Sequence, residues 1–378
     1  MKIRILGGGP AGLYLGLLMK RQDSSHDVRV YERGPRGATW GFGVVFSDRA
    51  LGFLERDDRA TYELLSPHME SWPDLAIVHK DTRVPIAGNG FAAIGRLELL
   101  NLLQDEAERH GVDLRFETEI GSLEELLPAD LVVAADGAFS LIREADAERF
   151  GTTIDWRHNR FAWFGTTKTF PSLTLTFREN DDGVFCAHHY RYSPDGSTFL
   201  VEVDAATFER AGFAEMDEEQ SMRYCERVFA PDLDGHGLIS NRSVWRSFPV
   251  VWNETWSVDN VVLLGDALRT AHFSIGSGTR LALEDALALF KALHDTEDVP
   301  AALALFQERR YPPTRKLFDA AGASLRWYEQ MADHMALDPL EFAYRYMRRS
   351  GRLGHEDVRA LDAQLAETVE REHPEAVR

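Results

Sequence analysis

The chain has 378 residues, of which 44% are hydrophobic and 27% charged, enough apolar material for one large domain with a second beside it. Lys and Arg number 42 against 61 Asp and Glu, and the resulting net charge of −19 repels nucleic acid phosphates and anionic membrane surfaces, so neither is expected as a partner. Cys186 and Cys225 form no Cys-x-x-Cys pair, no apolar run reaches membrane-spanning length, and no leader pattern precedes the first strand; these exclude a redox disulfide, a thiolate metal site and a membrane span, and imply a cytoplasmic protein without a metal.

In chain order, the apolar strand from Lys2 to Leu6 runs into Gly7-Gly8-Gly9-Pro10-Ala11-Gly12, and an apolar helix follows from Ala11 to Lys20. Gly7 permits the tight turn, Gly9 lets the backbone approach a pyrophosphate, and Gly12 lets helix and strand pack closely. The next strand, Val28 to Tyr31, leads to Glu32, whose carboxylate can accept hydrogen bonds from ribose hydroxyls. Strand, glycine turn, helix and acid together predict an adenine dinucleotide, with the helix N-terminus facing its phosphates.

After the turn at Arg33 to Gly37, the spaced glycines of Trp40 to Ser47 suit a backbone lying against something flat. A helix is predicted from about Arg96, with Leu97, Leu100, Leu103 and Ala107 on one stripe. Asp130 to Gly137 reads as a central parallel strand ending in a turn, and Val261 to Asp266 repeats that grammar. Between them, β-rich runs over Phe161–Thr169, Leu173–Arg178, Val184–Tyr192 and Thr198–Val203, separated by turn clusters, predict an inserted antiparallel sheet with a helix near Ser221 to Phe229. Helices are predicted through Leu281–Leu293, Ala301–Arg310, Phe318–Met335 and Pro339–Arg349, and the charged stretch past Gly354 reads as loosely held. The fold class is therefore α/β. A discontinuous Rossmann-like domain spans residues 1–152 and 257–300, an antiparallel substrate domain 153–256, and a helical region 301–378.

Asp136-Gly137 and Gly265-Asp266 both sit at carboxyl ends of predicted parallel strands, where open α/β sheets bind ligands. With the glycine fingerprint, these segments resemble the FAD-dependent aromatic hydroxylases of the para-hydroxybenzoate hydroxylase type, flavoproteins of the GR2 type. The stretch from Leu268 to Asp285, the segment Trp40 to Ser47, and the tail Asp338 to Tyr344 are similar to the branch containing salicylyl-CoA 5-hydroxylase and 2-aminobenzoyl-CoA monooxygenase. Such relatives often carry His and Lys where this chain has Arg269 and Arg280.

The resemblance implies bound FAD, with Gly7, Gly9, Pro10, Ala11 and Gly12 at its phosphates, Glu32 on the adenosine ribose, and Arg33 and Ile120 near the adenine. It implies Gly41, Gly43 and Val44 over the flavin, Arg96 toward the phosphates or ribityl chain, and Asp136 with Gly137 ordering the phosphate region or the nicotinamide approach. Asp266 would bind the ribityl hydroxyls, and backbone N–H groups around Gly276, Gly278 and Thr279 would stabilise charge on the flavin. His272, with Phe273 and Ser274, would orient a phenol or shuttle its proton. Phe273, Phe46 and Trp40 suit the wall of an aromatic site or core packing, the latter being the commoner use of such residues.

A single dinucleotide fingerprint leaves NADH or NADPH without a Rossmann unit of its own, so it would bind transiently and reduce the flavin. Reduced flavin and O2 would then give a C4a-hydroperoxide that hydroxylates an electron-rich ring. The implied partner is a small aromatic substrate, as a CoA thioester or as a free, carrier-bound or indole-type arene, and a homodimer is compatible. Phosphates of a thioester would need cationic groups, for which Arg309-Arg310, Arg315-Lys316 and Arg348-Arg349 are the clusters. A non-catalytic FAD-binding escort protein is the competing class, and the paired acid motifs weigh against it.

Overall fold

The computed structural model describes residues 1–47, 51–296 and 298–377. They divide into two compact units, one of residues 1–39, 97–156 and 249–319, the other of residues 40–96, 157–248 and 320–378.

The first unit is built on a six-stranded sheet in the order Ser257–Val258, Val261–Leu263, Leu131–Ala134, Lys2–Leu6, Asp27–Tyr31, Asp113–Arg115. All neighbours are parallel except the edge strand Ser257–Val258. Ile3, Ile5, Val132, Val133, Val262 and Leu263 are fully buried, as continuous apolar runs in a sheet covered on both faces should be. Pro10 occupies the first turn of helix Pro10–Gln22, where its missing N–H costs nothing, and Leu13, Leu15 and Leu17 are buried on it. From Lys2–Leu6 the chain passes by this helix to Asp27–Tyr31 on one side. The strand on the other side, Leu131–Ala134, comes much later, so a crevice opens at the carboxyl ends where the order reverses.

The second unit contains most of an eight-stranded sheet in the order Leu238–Ile239, Thr152–Thr166, Gly196–Val203, Gly183–Ser193, Leu173–Asn180, Leu75–His79, Thr82–Ile86, with Arg246–Asn253 pairing on Thr152–Thr166. The four strands expected between residues 161 and 203 are present. The first begins earlier, at Thr152, and ends at Thr166. Asn180 accepts backbone N–H bonds from Asp182 and Gly183, which sets the turn between two of them. The expected helix runs from Glu218 to Val228, started by a capping box between Asp217 and Gln220. A separate three-stranded sheet joins Gly43–Ser47, Phe91–Gly95 and Glu70–Trp72, and Phe91–Gly95 leads into helix Arg96–Arg109.

Three expectations differ from the structure. Residues 40–96 group with the inserted sheet, because Leu75–Val78 pairs in parallel with Leu173–Thr176. The two helices expected over Ala301–Arg310 and Phe318–Met335 are one continuous helix, Val299–Glu329, that carries Pro312 and Pro313 within it. The stretch past Gly354 is also not loose: it forms helices His355–Leu361 and Ala363–Glu372, which bury Val358, Leu365 and Val369 in a core with Phe177, Tyr328 and Phe342. The charge of that segment lies on its outer faces, and the buried residues at 365 and 369 are one helical turn apart.

Candidate functional site

In the first unit, the loops after strands Lys2–Leu6, Leu131–Ala134 and Val261–Leu263 meet. Ala135 N–H donates to Leu6 O at 2.8 Å, Leu264 N–H to Ala134 O at 2.9 Å, and Gly7 N–H to Tyr31 O at 2.8 Å. Gly7 has φ +108°, and a Cβ there would lie 2.2 Å from Ala135 O, so only glycine lets the first two loops touch. A Cβ on Gly12 would lie 2.3 Å from Gly7 O, and one on Gly265 3.2 Å from Ala11 Cβ, which brings the third loop against the fingerprint helix. Gly9, Gly137 and Gly278 are different: a Cβ there would meet nothing within 4 Å. These backbones therefore border open space, as approach by a ligand requires.

Two helices begin at this crevice. Pro10–Gln22 and Gly278–Asp295 both lack a side-chain cap and lack an acid in the first turn, so their N–H groups and positive dipole ends are available to an anion. Gly276, with φ +58°, sets the turn before the second helix. Glu32 accepts from Gly8 N–H at 2.9 Å and from Gly34 N–H at 2.7 Å, so its carboxylate also pins the glycine turn. Two N–H bonds leave acceptor capacity for a ribose. Arg33 beside it is exposed, and Glu117 and Thr118, shortly before Ile120, donate to Gly34 O and Glu32 O.

Asp136 accepts Leu141 N–H at 2.8 Å through one oxygen, while Oδ1 is buried without a hydrogen bond. Burial raises its pKa above the ordinary carboxylate value. A buried acceptor left over in a crevice edged by open glycines fits a ligand hydroxyl. Asp266 is exposed on its loop. His272 is buried, its Nδ1 2.9 Å from Ser274 Oγ, with its ring 4.0 Å from that of Phe273.

Three residues with no assigned role in the sequence reading hold the Gly265–Thr270 turn. Arg143, fully buried, donates to Ala138 O at 2.6 Å and Ala267 O at 3.2 Å, tying the second loop to the third. Asn253 donates to Ala267 O and Leu268 O. Arg269 donates to Gly265 O at 3.0 Å, and its Nη2 lies 2.6 Å from Asp285 Oδ2. No spacing in the sequence marks Arg143 or Asn253 for this, since Ala267 O lies 124 residues from the one and 14 from the other.

The remaining expected residues lie in the second unit. Gly41, with φ +74°, and Gly43 lie against rings of that unit's own sheet: a Cβ would fall 2.6 Å from Trp163 and 2.5 Å from Tyr192. Gly43 N–H donates to Thr198 Oγ1, and the Tyr190 hydroxyl, its pKa raised by burial, donates to Gly43 O at 2.8 Å. Val44 is buried, and Arg96 N–H donates to Phe42 O at 2.7 Å. Phe46 is core at 1% exposed, whereas Trp40 is 48% exposed and is not core. The doublet His188-His189 is buried, His188 stacking on Tyr328 and His189 on Phe199. Cys186 and Cys225 are buried free thiols. Among the described residues no helix is long and apolar enough to cross a membrane.

Sheet, switch point and glycine turn define a dinucleotide-binding flavoprotein architecture. Residues 124–321 match the FAD binding domain family. The chain is 39% identical over 376 residues to salicyloyl-CoA 5-hydroxylase of a Streptomyces species, covering 96% of this chain and 73% of that protein. It is 36% identical over 334 residues to the 3-hydroxy-4-methyl-anthranilyl-[aryl-carrier protein] 5-monooxygenase of Streptosporangium sibiricum, covering 88% and 90%. The fold is similar to that of 2-methyl-3-hydroxypyridine-5-carboxylic acid oxygenase, with TM-score 0.71 at 17% identity over 92% of this chain and 98% of that one. The chain belongs to the FAD-dependent aromatic hydroxylases. FAD is its cofactor, and its activity is that of an aromatic monooxygenase.

Proposed function

We propose that the enzyme hydroxylates an aromatic acid presented as its CoA thioester, with O2 as oxidant and NADH or NADPH as reductant. The observation that carries this reading is the 39% identity to salicyloyl-CoA 5-hydroxylase along 96% of the chain. When bound, FAD supplies the redox chemistry that activates O2 and inserts one oxygen atom into the ring. The protein holds and shields it. The N-termini of Pro10–Gln22 and Gly278–Asp295 take its negative charge, Glu32 takes the adenosine ribose, Asp136 and Asp266 take hydroxyls, and Arg143 keeps the second and third loops in register. His272, its Nδ1 2.9 Å from Ser274 Oγ, is assigned to orienting a ring hydroxyl or exchanging its proton. Gly41, Gly43, Val44, Arg96 and Phe273 are assigned to the flavin and substrate surroundings in the same reading.

The test is NADH and NADPH oxidation, with product analysis, on salicylyl-CoA, 2-aminobenzoyl-CoA, their free acids and a carrier-bound aryl thioester. Coupled hydroxylation of a CoA thioester at rates well above the free acid is expected. Turnover of free acids alone would reject the thioester reading. The 36% identity to an aryl-carrier-protein monooxygenase favours a second reading, a carrier-bound substrate, which predicts turnover of the carrier thioester in preference to the CoA one.

A further inference from the structure

The arginine clusters that the sequence offers for phosphates are largely occupied. Arg309 pairs with Asp295, Arg310 with Glu284 and Asp285, and Arg315 with Asp319. In a chain of net charge −19, guanidiniums without a carboxylate are informative. Arg242 and Arg246 are two such groups: both are exposed, and among the described residues neither has a carboxylate partner. Both face the ring of Trp40, with Cζ 4.6 Å and 5.4 Å from its centroid.

This arrangement is held in place by its own unit. Asn241 donates its amide to Gly41 O at 2.9 Å, and Ser243 Oγ donates to Trp163 O, the residue whose ring lies under Gly41. Arg242 sits at φ +57°, a left-handed conformation that costs free energy for a side chain of this size. An exposed indole offers a flat face for a heteroaromatic base, and two guanidinium forks offer bidentate donors to phosphate. Combining stacking and phosphate pairing is how proteins grip a phosphorylated nucleotide, and the acidic field of the whole chain disfavours a polymer of them.

We infer that Trp40, Arg242 and Arg246 form a subsite for the phosphorylated adenosine end of the acyl-CoA substrate, the base on the indole and the 3′-phosphate on the guanidiniums. The inference rests on the thioester reading above. The same chemistry occurs at the adenosine end of NADPH, so the experiment separates the two sources. Salicylyl-CoA and a truncated salicylyl thioester of N-acetylcysteamine are each turned over by the flavin-loaded wild type and by R242A/R246A, with KM measured for each thioester and for NADH and NADPH.

The double variant is expected to raise KM for salicylyl-CoA by about tenfold or more, the loss that charge-assisted hydrogen bonds carry, and to leave KM for the truncated thioester and both nicotinamide nucleotides unchanged. R242K/R246K should recover part of the loss, because the charges remain while the forks go. An unchanged KM for salicylyl-CoA, or a rise confined to NADPH, would overturn the subsite while leaving the thioester reading intact. Should the wild type turn over no thioester, that reading fails, and calorimetric titration of free CoA decides the subsite separately: binding weakened in R242A/R246A sustains it, and no binding overturns it.

Discussion

Asp285 is the strongest point at which to perturb the third loop. Its carboxylate is fully buried between two guanidiniums, with Oδ2 2.6 Å from Arg269 Nη2 and Oδ1 3.0 Å from Arg310 Nη2, while Arg310 also reaches Glu284 at 3.0 Å. Arg269 is itself 2% exposed, so Asp285→Asn leaves a buried cation facing a neutral amide. Removing one partner of a buried pair costs about 3–5 kcal/mol, chiefly through the uncompensated charge. The asparagine oxygen can still accept one hydrogen bond, which favours the lower end, about 3 kcal/mol. With an unfolding entropy of about 2.1 cal/mol/K per residue over the chain, each kcal/mol moves the midpoint by about 1.3 °C, and the thermal midpoint of the FAD-free protein should fall by about 4 °C. Asp295→Asn breaks an exposed pair with Arg309 and should cost under about 1 kcal/mol. Arg269 also donates to Gly265 O, so FAD affinity, measured by flavin fluorescence at a temperature where both variants are folded, should drop for Asp285→Asn only. Equal midpoints for the two variants would refute the reasoning.

Glu32→Gln removes the charge that accepts Gly8 N–H and Gly34 N–H, and FAD binding should weaken by about 1.5–3 kcal/mol; an unchanged dissociation constant in fluorescence titration counts against the ribose role. Burial holds the pKa of Asp136 above its ordinary value, so the fold favours the protonated form, and this group's contribution to stability declines as pH rises through and above the usual carboxylate range. Asp136→Asn should therefore stabilise the FAD-free protein at pH 7, read by urea unfolding, and a loss of stability there would contradict the assignment. Burial between Phe170 and Phe199 holds His189 well below the usual imidazole value, so it stays neutral in the fold while the unfolded chain takes up a proton below about pH 6.5. Its contribution is complete above that pH and is lost on acidification, by about 1.4 kcal/mol at pH 5.5, and His189→Gln should flatten the fall in unfolding free energy between pH 7 and 5.5 by about one proton.

What could be read from the sequence is what local spacing determines. The turn at Gly7 is legible because three glycines at fixed intervals, between an apolar strand and an apolar helix, have few other uses. The parallel strands at residues 131–134 and 261–263 are legible because burial on both faces demands an unbroken apolar run. Gly41 and Gly43 show the limit of such reading: close backbone approach was expected there, and within their unit the flat partners are the rings of Trp163 and Tyr192, which no spacing rule names. The helix running through Pro312 and Pro313, and the ordered tail around Leu365 and Val369, are cases where packing overrides a local signal of breakage or charge.

Arg143, Asn253 and Arg269 have no role legible in the sequence for a further reason. Each is a polar residue that donates to carbonyl oxygens of the loop between strand Val261–Leu263 and the helix beginning at Gly278, adding to the few backbone bonds of that loop, such as those of Leu268 N–H and Arg269 N–H to Gly265 O. A turn presenting a ligand must leave some of its donors and acceptors facing outward, so the carbonyls behind it need partners from elsewhere. Two of the partners, at 143 and 253, come from other segments, and the third, Arg269, belongs to the turn itself and folds back on Gly265 O; their guanidiniums and amide lock the turn where water would otherwise solvate it. Placing two buried arginines behind the turn costs desolvation, which Asp285 offsets for Arg269 and the Ala138 and Ala267 carbonyls offset for Arg143. A loop rigidified from behind in this way loses little further entropy when a cofactor binds in front, and that preorganisation, more than any single contact to FAD, is what the Asp285→Asn experiment measures.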